Sequence, residues 1–111
     1  MTTEMQEVEI SIKDAQAKIE RAEQLSKLLK TPEWDSIIEK GYFVNEASNT
    51  VLLRAAPQFQ EDKHQELLLK QIDGIGMFRQ YLMSIFQVSK EAKKALEDLK
   101  AMKDDLLNPE E

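Results

Sequence analysis

Hydrophobic residues recur with a helical period in two long segments of the chain. The first series, at alternating spacings of three and four positions, consists of Met5, Val8, Ile12, Ala15, Ile19, Ala22, Ser26 and Leu29. The second series has the same spacing and consists of Ile75, Phe78, Leu82, Ile85, Ser89, Ala92, Leu96, Leu99, Lys103 and Leu106. Because this spacing is that of a coiled-coil a/d seam, each segment predicts a long helix that packs against another helix.

Signals for helix ends set approximate limits for these two helices. Thr3 followed by Gln6 fits a capping box and predicts that the first long helix covers about residues 3–30. The second is predicted over about residues 62–107, where no proline interrupts the pattern. Four further apolar residues widen the seam of the second helix: Tyr81, Val88, Ala95 and Met102.

A first short helix is predicted directly after the first long one. Thr31 is a suitable N-cap, and Pro32 fits the first turn, where its missing N–H has no role. The helix is predicted over about residues 32–40, and Gly41 is a suitable C-terminal cap.

A second short helix is predicted over about residues 46–55, capped by Asn45 and ended before Pro57. Between residues 41 and 60 only Glu46 and Arg54 are charged. Such low charge predicts that this part of the chain forms a packed surface.

These elements predict an all-α fold in a single helical domain, residues 1–111. Its simplest form is an antiparallel helical hairpin or coiled coil of the two long helices, with the two short helices packed at the turn end. Segment 74–89 is apolar almost all round, so it should be enclosed by the other helices or by another subunit. Gly74 and Gly76 within it predict close helix contact or a local kink, which would make them a hinge.

Composition restricts the classes of partner. The net charge is -6, from 15 basic and 21 acidic residues, which argues against nucleic-acid or anionic-membrane binding. The absence of cysteine excludes disulfides and thiolate metal sites. Neither a secretory signal nor a membrane span is recognisable, which predicts a cytoplasmic protein.

No motif predicts catalysis, a cofactor or a metal. The sequence Asp73-Gly74-Ile75-Gly76 lacks the third glycine and the preceding strand of a nucleotide site. His64 is the only histidine and has no second ligand or orienting partner at a suitable spacing. We therefore expect a protein that is not an enzyme.

Aromatic residues supply the candidates for protein binding. Four of the seven aromatics fall in the connection between the long helices, where core packing explains most of them. The alternative is that some of them project as interface anchors. Arg79 is the one charge in its apolar run and would need a partner carboxylate if it were buried. The candidate protein-binding residues are Trp34, Tyr42, Phe43, Phe59, Phe78, Arg79 and Tyr81.

Two blocks of sequence carry a resemblance. The first runs from Trp34 to Phe43, followed by Glu46-Ala47 and Leu52-Leu53, and the second covers residues 72–82. Together, over residues 34–86, they resemble short acidic all-helical proteins encoded by tailed bacteriophages. The resemblance implies a phage product concerned with virion assembly and carries over no catalytic residues.

Three functions are therefore expected in order. The first is a non-enzymatic phage assembly or structural-accessory protein that forms homo-oligomers and binds a phage structural component. The second is a small acidic phage protein that binds a host enzyme and inhibits or redirects it. The third is a helical adaptor unrelated to phage.

Overall fold

The computed structural model describes residues 3–109, and all regular structure in that range is helical. In chain order the elements are α1 (Glu4–Leu29), α2 (Pro32–Trp34), a π-helix (Asp35–Glu46), α3 (Ala47–Ala55), a 3-10 turn (Pro57–Phe59) and α4 (Asp62–Leu107). The all-α fold class is confirmed. The long helices α1 and α4 lie where the two heptad series predict them.

Side-chain caps begin the first two helices as predicted. The backbone N–H of Thr3 donates to Gln6 Oε1 at 2.8 Å, and the N–H of Gln6 donates to Thr3 Oγ1 at 3.1 Å. These reciprocal bonds are a capping box. At α2 the N–H of Trp34 donates to Thr31 Oγ1 at 3.1 Å, with Pro32 in the first turn.

The two predicted short helices are joined without a break in the structure. Helical backbone runs from Pro32 to Ala55 without a gap, because α2 passes into the π-helix and the π-helix into α3. Gly41 does not adopt a positive φ and therefore does not form a C-terminal cap. Asn45 lies inside the π-helix, so it does not cap α3.

The residues fall into two compact units, and the first comprises residues 3–25 and 83–109 of the described chain. Within it α1 and α4 pack antiparallel: Glu9, near the start of α1, lies 3.8 Å from Lys103, near the end of α4. The buried side chains are mostly small, and they are Val8, Ala15, Ala22, Leu25, Ser89 and Ala92. Ala15 and Ala22, both in the first predicted seam, are among them.

The second unit is Ser26–Leu82. Its buried residues are Trp34, Thr50, Leu68 and Ile75. Every residue of both predicted seams is buried or half-buried, so the seam assignment is confirmed. A single domain would unfold as one cooperative whole, so the single-domain prediction means that the two units unfold together. It stays a prediction.

Several apolar residues that were expected to be covered are exposed. In segment 74–89, Met77 is 67% and Met83 is 64% exposed. The four residues expected to widen the α4 seam are also exposed: Tyr81, Val88, Ala95 and Met102. A pair of helices buries one narrow stripe on each, so the second apolar stripe of α4 stays outside it.

Helix α4 is continuous through Gly74 and Gly76. A Cβ atom added at either glycine would have no neighbouring atom within 4 Å. Among residues 3–109 the predicted close helix contact is therefore absent. Across residues 3–109, no helix combines the length and the hydropathy that a membrane span requires.

Candidate protein-binding surfaces

The π-helix is marked by contacts between residues five positions apart. Trp34 Nε1 donates a hydrogen bond to Glu39 Oε1 at 3.3 Å. Lys40 Nζ lies 3.0 Å from Asp35 Oδ2. In an α-helix such residues would be about 140° apart around the axis and could not meet. The wider π-helix brings each pair onto one face.

The sequence supplies a local reason for this unusual helix. In an α-helix Asp35 would lie beside Glu39, four positions on, and the two carboxylates would repel each other. The π-helix instead pairs Asp35 with Lys40 and gives Glu39 the indole N–H of Trp34. Charge pattern therefore favours the π register over the α register between residues 34 and 40.

Gly41 fits the same geometry. A Cβ at this position would lie 3.0 Å from the carbonyl oxygen of Ser36, also five residues away. That oxygen belongs to the backbone and cannot rotate aside. A glycine therefore removes a steric conflict at the centre of the π-helix.

Trp34 at the end of α2, the π-helix and α4 together form an aromatic cluster around Phe78. The ring of Phe78 lies 6.5 Å from Trp34, 6.0 Å from Tyr42 and 5.8 Å from Phe43, measured between centroids. Such tilted and edge-on pairs contribute about 0.5–1.5 kcal/mol each beyond their burial. The guanidinium of Arg79 lies 5.2 Å from the centre of the Phe43 ring. The cluster fixes the π-helix on α4.

A second contact set holds the turn between α3 and α4. Phe59 packs edge-on against His64, with ring centroids 5.5 Å apart. Gln65 Nε2 donates to the carbonyl oxygens of Arg54 and Phe59 at 3.0 and 2.7 Å. Gln65 Oε1 accepts a bond from Arg54 Nε at 3.1 Å. Sequence reasoning missed Gln65, because a lone glutamine on a helix carries no pattern that marks a turn partner.

The structure thus brings five of the seven predicted binding residues into one cluster, and these are Trp34, Tyr42, Phe43, Phe78 and Arg79. Trp34 is only 8% exposed, so it contributes to the core of its unit. Arg79 is exposed and rests on Phe43, so the burial that would have required a partner carboxylate does not occur. Phe59 lies at the turn beside His64, and Tyr81 is 56% exposed. The binding role of these residues stays a prediction.

Helix α3 presents an uncharged face that sequence reasoning expected to be packed. Ser48, Val51, Leu52 and Ala55 follow the spacing of one helix face, and all four are exposed. Val51 is 55% and Leu52 is 68% exposed. On the other side of α3, Thr50 is buried and its hydroxyl donates to the carbonyl of Glu46 at 2.8 Å. We call Ser48, Val51, Leu52 and Ala55 the α3 face.

The first unit contains a groove between α1 and α4. Its volume is about 590 Å³, and its base includes Ala15 and Ala92, which are 4% and 5% exposed. Exposed apolar side chains, among them Val88, line the α4 side. Lys18 on the α1 side forms an ion pair with Asp14 at 2.8 Å. The small side chains at its base leave room for another helix to approach.

Residues 3–109 contain no group of three or more histidine, aspartate or glutamate side chains placed to hold a metal ion. Comparison with protein families, with curated proteins and with solved structures finds no match to this chain.

Proposed function

We propose that this chain is a non-enzymatic bacteriophage protein for virion assembly, either structural or accessory, which associates with itself and binds another virion protein. The observation that carries this proposal is the amount of large apolar surface left exposed in the second unit. Ten large hydrophobic side chains there are at least 40% exposed: Leu28, Ile37, Val44, Val51, Leu52, Leu53, Leu67, Leu69, Met77 and Tyr81. Large exposed apolar patches on soluble domains are typical of interfaces.

The α3 face is the surface we assign to the other virion protein. Between residues 26 and 82 the chain has seven basic and eight acidic residues, so this unit is nearly neutral. An uncharged, apolar face on such a unit suits a partner that buries it with its own apolar side chains. Leu52 is the most exposed large side chain on it.

The resemblance of residues 34–86 to short helical phage proteins supports the viral part of the proposal. Those residues include the π-helix, the aromatic cluster and the α3 face. The surface that we assign to partner binding thus falls in the part of the chain that carries the resemblance.

Capture from infected cells tests this proposal. Tagged protein produced during infection by the encoding phage should retain a capsid, portal or tail protein, identified by mass spectrometry. Leu52→Lys should abolish that capture, since it places a charge at the centre of the α3 face. Ile10→Lys is the matched control, because Ile10 is 60% exposed but lies on α1, and it should retain capture. Absence of any virion protein, or equal capture by the Leu52→Lys variant, would contradict the proposal.

The net charge of -6 favours a second function, which is binding to the basic surface of a host nucleic-acid enzyme. Such binding would weaken steeply between low and physiological salt, because it would depend on long-range charge attraction. Binding through the α3 face, which is uncharged, would depend little on salt. A salt titration of the captured complex therefore separates the two functions.

A further inference from the structure

Helix α4 carries an exposed strip in the second unit that combines basic and apolar residues. It consists of Lys63, Leu67, Lys70, Gly74 and Met77, which we call the basic strip. The spacing of four and three places all five on one face of the helix. All five are exposed; Leu67 and Met77 are 57% and 67% exposed.

The first unit carries a strip on α4 with the opposite charge. It consists of Ser84, Val88, Glu91, Ala95 and Asp98, which we call the acidic strip. All five residues are exposed, and Val88, Glu91, Ala95 and Asp98 line the groove. No basic side chain in residues 3–109 lies within ion-pair distance of Glu91 or Asp98. Each strip spans about 21 Å of helix.

We propose that the basic strip of one copy of this chain docks antiparallel on the acidic strip of a second copy. The occupant is a second copy because, when one strip is reversed, each of its residues lies opposite a residue of complementary charge or size on the other strip. The matched pairs are Lys63 with Asp98, Leu67 with Ala95, Lys70 with Glu91, Gly74 with Val88, and Met77 with Ser84. Each pair joins opposite charges or a large side chain with a small one.

This arrangement explains why residue 74 is a glycine. Within one chain a Cβ at Gly74 would meet nothing within 4 Å, so packing in the chain does not require glycine there. Opposite Val88 of the second copy, the missing side chain lets the two helices approach closely. The open groove in which Val88 lies, with Ala15 and Ala92 at its base, leaves space for the incoming helix.

This inference rests on the proposed function, because it identifies the surface through which the proposed self-association occurs. Sedimentation equilibrium of the purified full chain separates the two: a wild-type chain that stays monomeric fails both. A wild-type oligomer that the strip variants leave unchanged fails only the strip assignment.

Charge reversal in each strip tests the assignment. Lys63→Glu with Lys70→Glu, or Glu91→Lys with Asp98→Lys, should weaken self-association about tenfold or more, because attractive pairs become repulsive. Glu91→Lys with Asp98→Lys changes the net charge from -6 to about -2. Weaker repulsion between whole copies would by itself strengthen the association of this variant. Weakening of that variant therefore supports the strips, and strengthening contradicts them.

Mixing the two variants is the decisive step. The mixture should form a mixed oligomer with near wild-type affinity, since each strip then meets an opposite charge. The matched controls are Lys93→Glu with Lys100→Glu, and Glu97→Lys with Asp104→Lys. These lie on the same helix, at the same seven-residue separation, with the same change of net charge, but outside both strips. Circular dichroism confirms folding of each variant. Failure of the mixture to associate, or equal weakening in the controls, would overturn the assignment.

Discussion

Replacing the three glycines by alanine, one at a time, separates helix propensity from local contacts. At Gly74 and Gly76 the backbone is helical, φ is not positive, and a Cβ would meet nothing within 4 Å. Alanine should therefore gain nearly its full helix propensity, about 1 kcal/mol at each site. For a chain of this size that gain raises the melting temperature by about 4 °C.

Gly41→Ala should lack this gain. Its methyl group would lie 3.0 Å from the carbonyl oxygen of Ser36, a contact that the backbone can relieve only by shifting. We expect the steric conflict to offset the propensity term, so that stability stays unchanged or falls. Because all three variants carry the same substitution in the same protein, a difference in stability between them reports the local contacts at each glycine.

Urea unfolding followed by circular dichroism measures all three variants, at a concentration low enough for the monomer to dominate. The wild type and the two α4 variants should have equal m-values, so that midpoints report stability. Destabilisation by Gly74→Ala or Gly76→Ala would refute the reasoning, because it would reveal a close contact or a kink at that glycine. A gain of about 1 kcal/mol for Gly41→Ala would refute the steric account of the π-helix.

Four further predictions follow from the same structure. Gly74→Ala should weaken self-association, whereas Gly76→Ala, which lies outside both strips, should not; sedimentation of both variants checks this. Lys40→Glu should destabilise the chain by about 0.5–1 kcal/mol in urea unfolding, because two acidic side chains then meet at an exposed site. Adding Asp35→Lys should restore stability by restoring opposite charges, and no recovery in this double variant would contradict the π register. Ile19→Asp and Leu82→Asp should each lower the free energy of unfolding by about 3 kcal/mol, because each puts a charge in a packed seam, whereas His64→Ala should lower it by about 1 kcal/mol at most. If thermal unfolding showed His64→Ala to be the more damaging change, the seam assignment would be contradicted. Trp34 is the one tryptophan and is 8% exposed, so acrylamide should quench its fluorescence poorly, and Phe78→Ala should increase quenching; strong quenching in the wild type would contradict the aromatic cluster.

The two long helices could be predicted because their signals are local and repeated. Helix period alone places Val8, Ala15 and Ala22 on one face, and any partner helix would bury that face. The capping box at Thr3 and Gln6 depends only on residues three positions apart. No knowledge of the rest of the fold is needed for either prediction.

The π-helix could not be predicted in the same way. Gly41 is equally suitable for a C-terminal cap and for the interior of a π-helix, so the residue itself does not decide. The decision depends on the pairing of Asp35 with Lys40 and on Phe78, an aromatic residue 35 positions beyond Phe43. Contacts of that separation carry no local pattern.

The exposed surfaces were also beyond the sequence pattern. Val51 and Leu52 are as apolar as core residues, and hydrophobicity alone predicts burial for both. The chain has more apolar helix faces than it can cover. Which face remains outside is decided by the packing of α3, where Thr50 takes the buried position.

The central claim is that this chain acts by associating through its helices, and the mass of the purified full chain in solution tests it most directly. Sedimentation equilibrium over a range of concentrations should give at least twice the chain mass of 12.8 kDa at the higher concentrations, with dissociation on dilution. A mass of one chain at every concentration up to high micromolar would contradict the account.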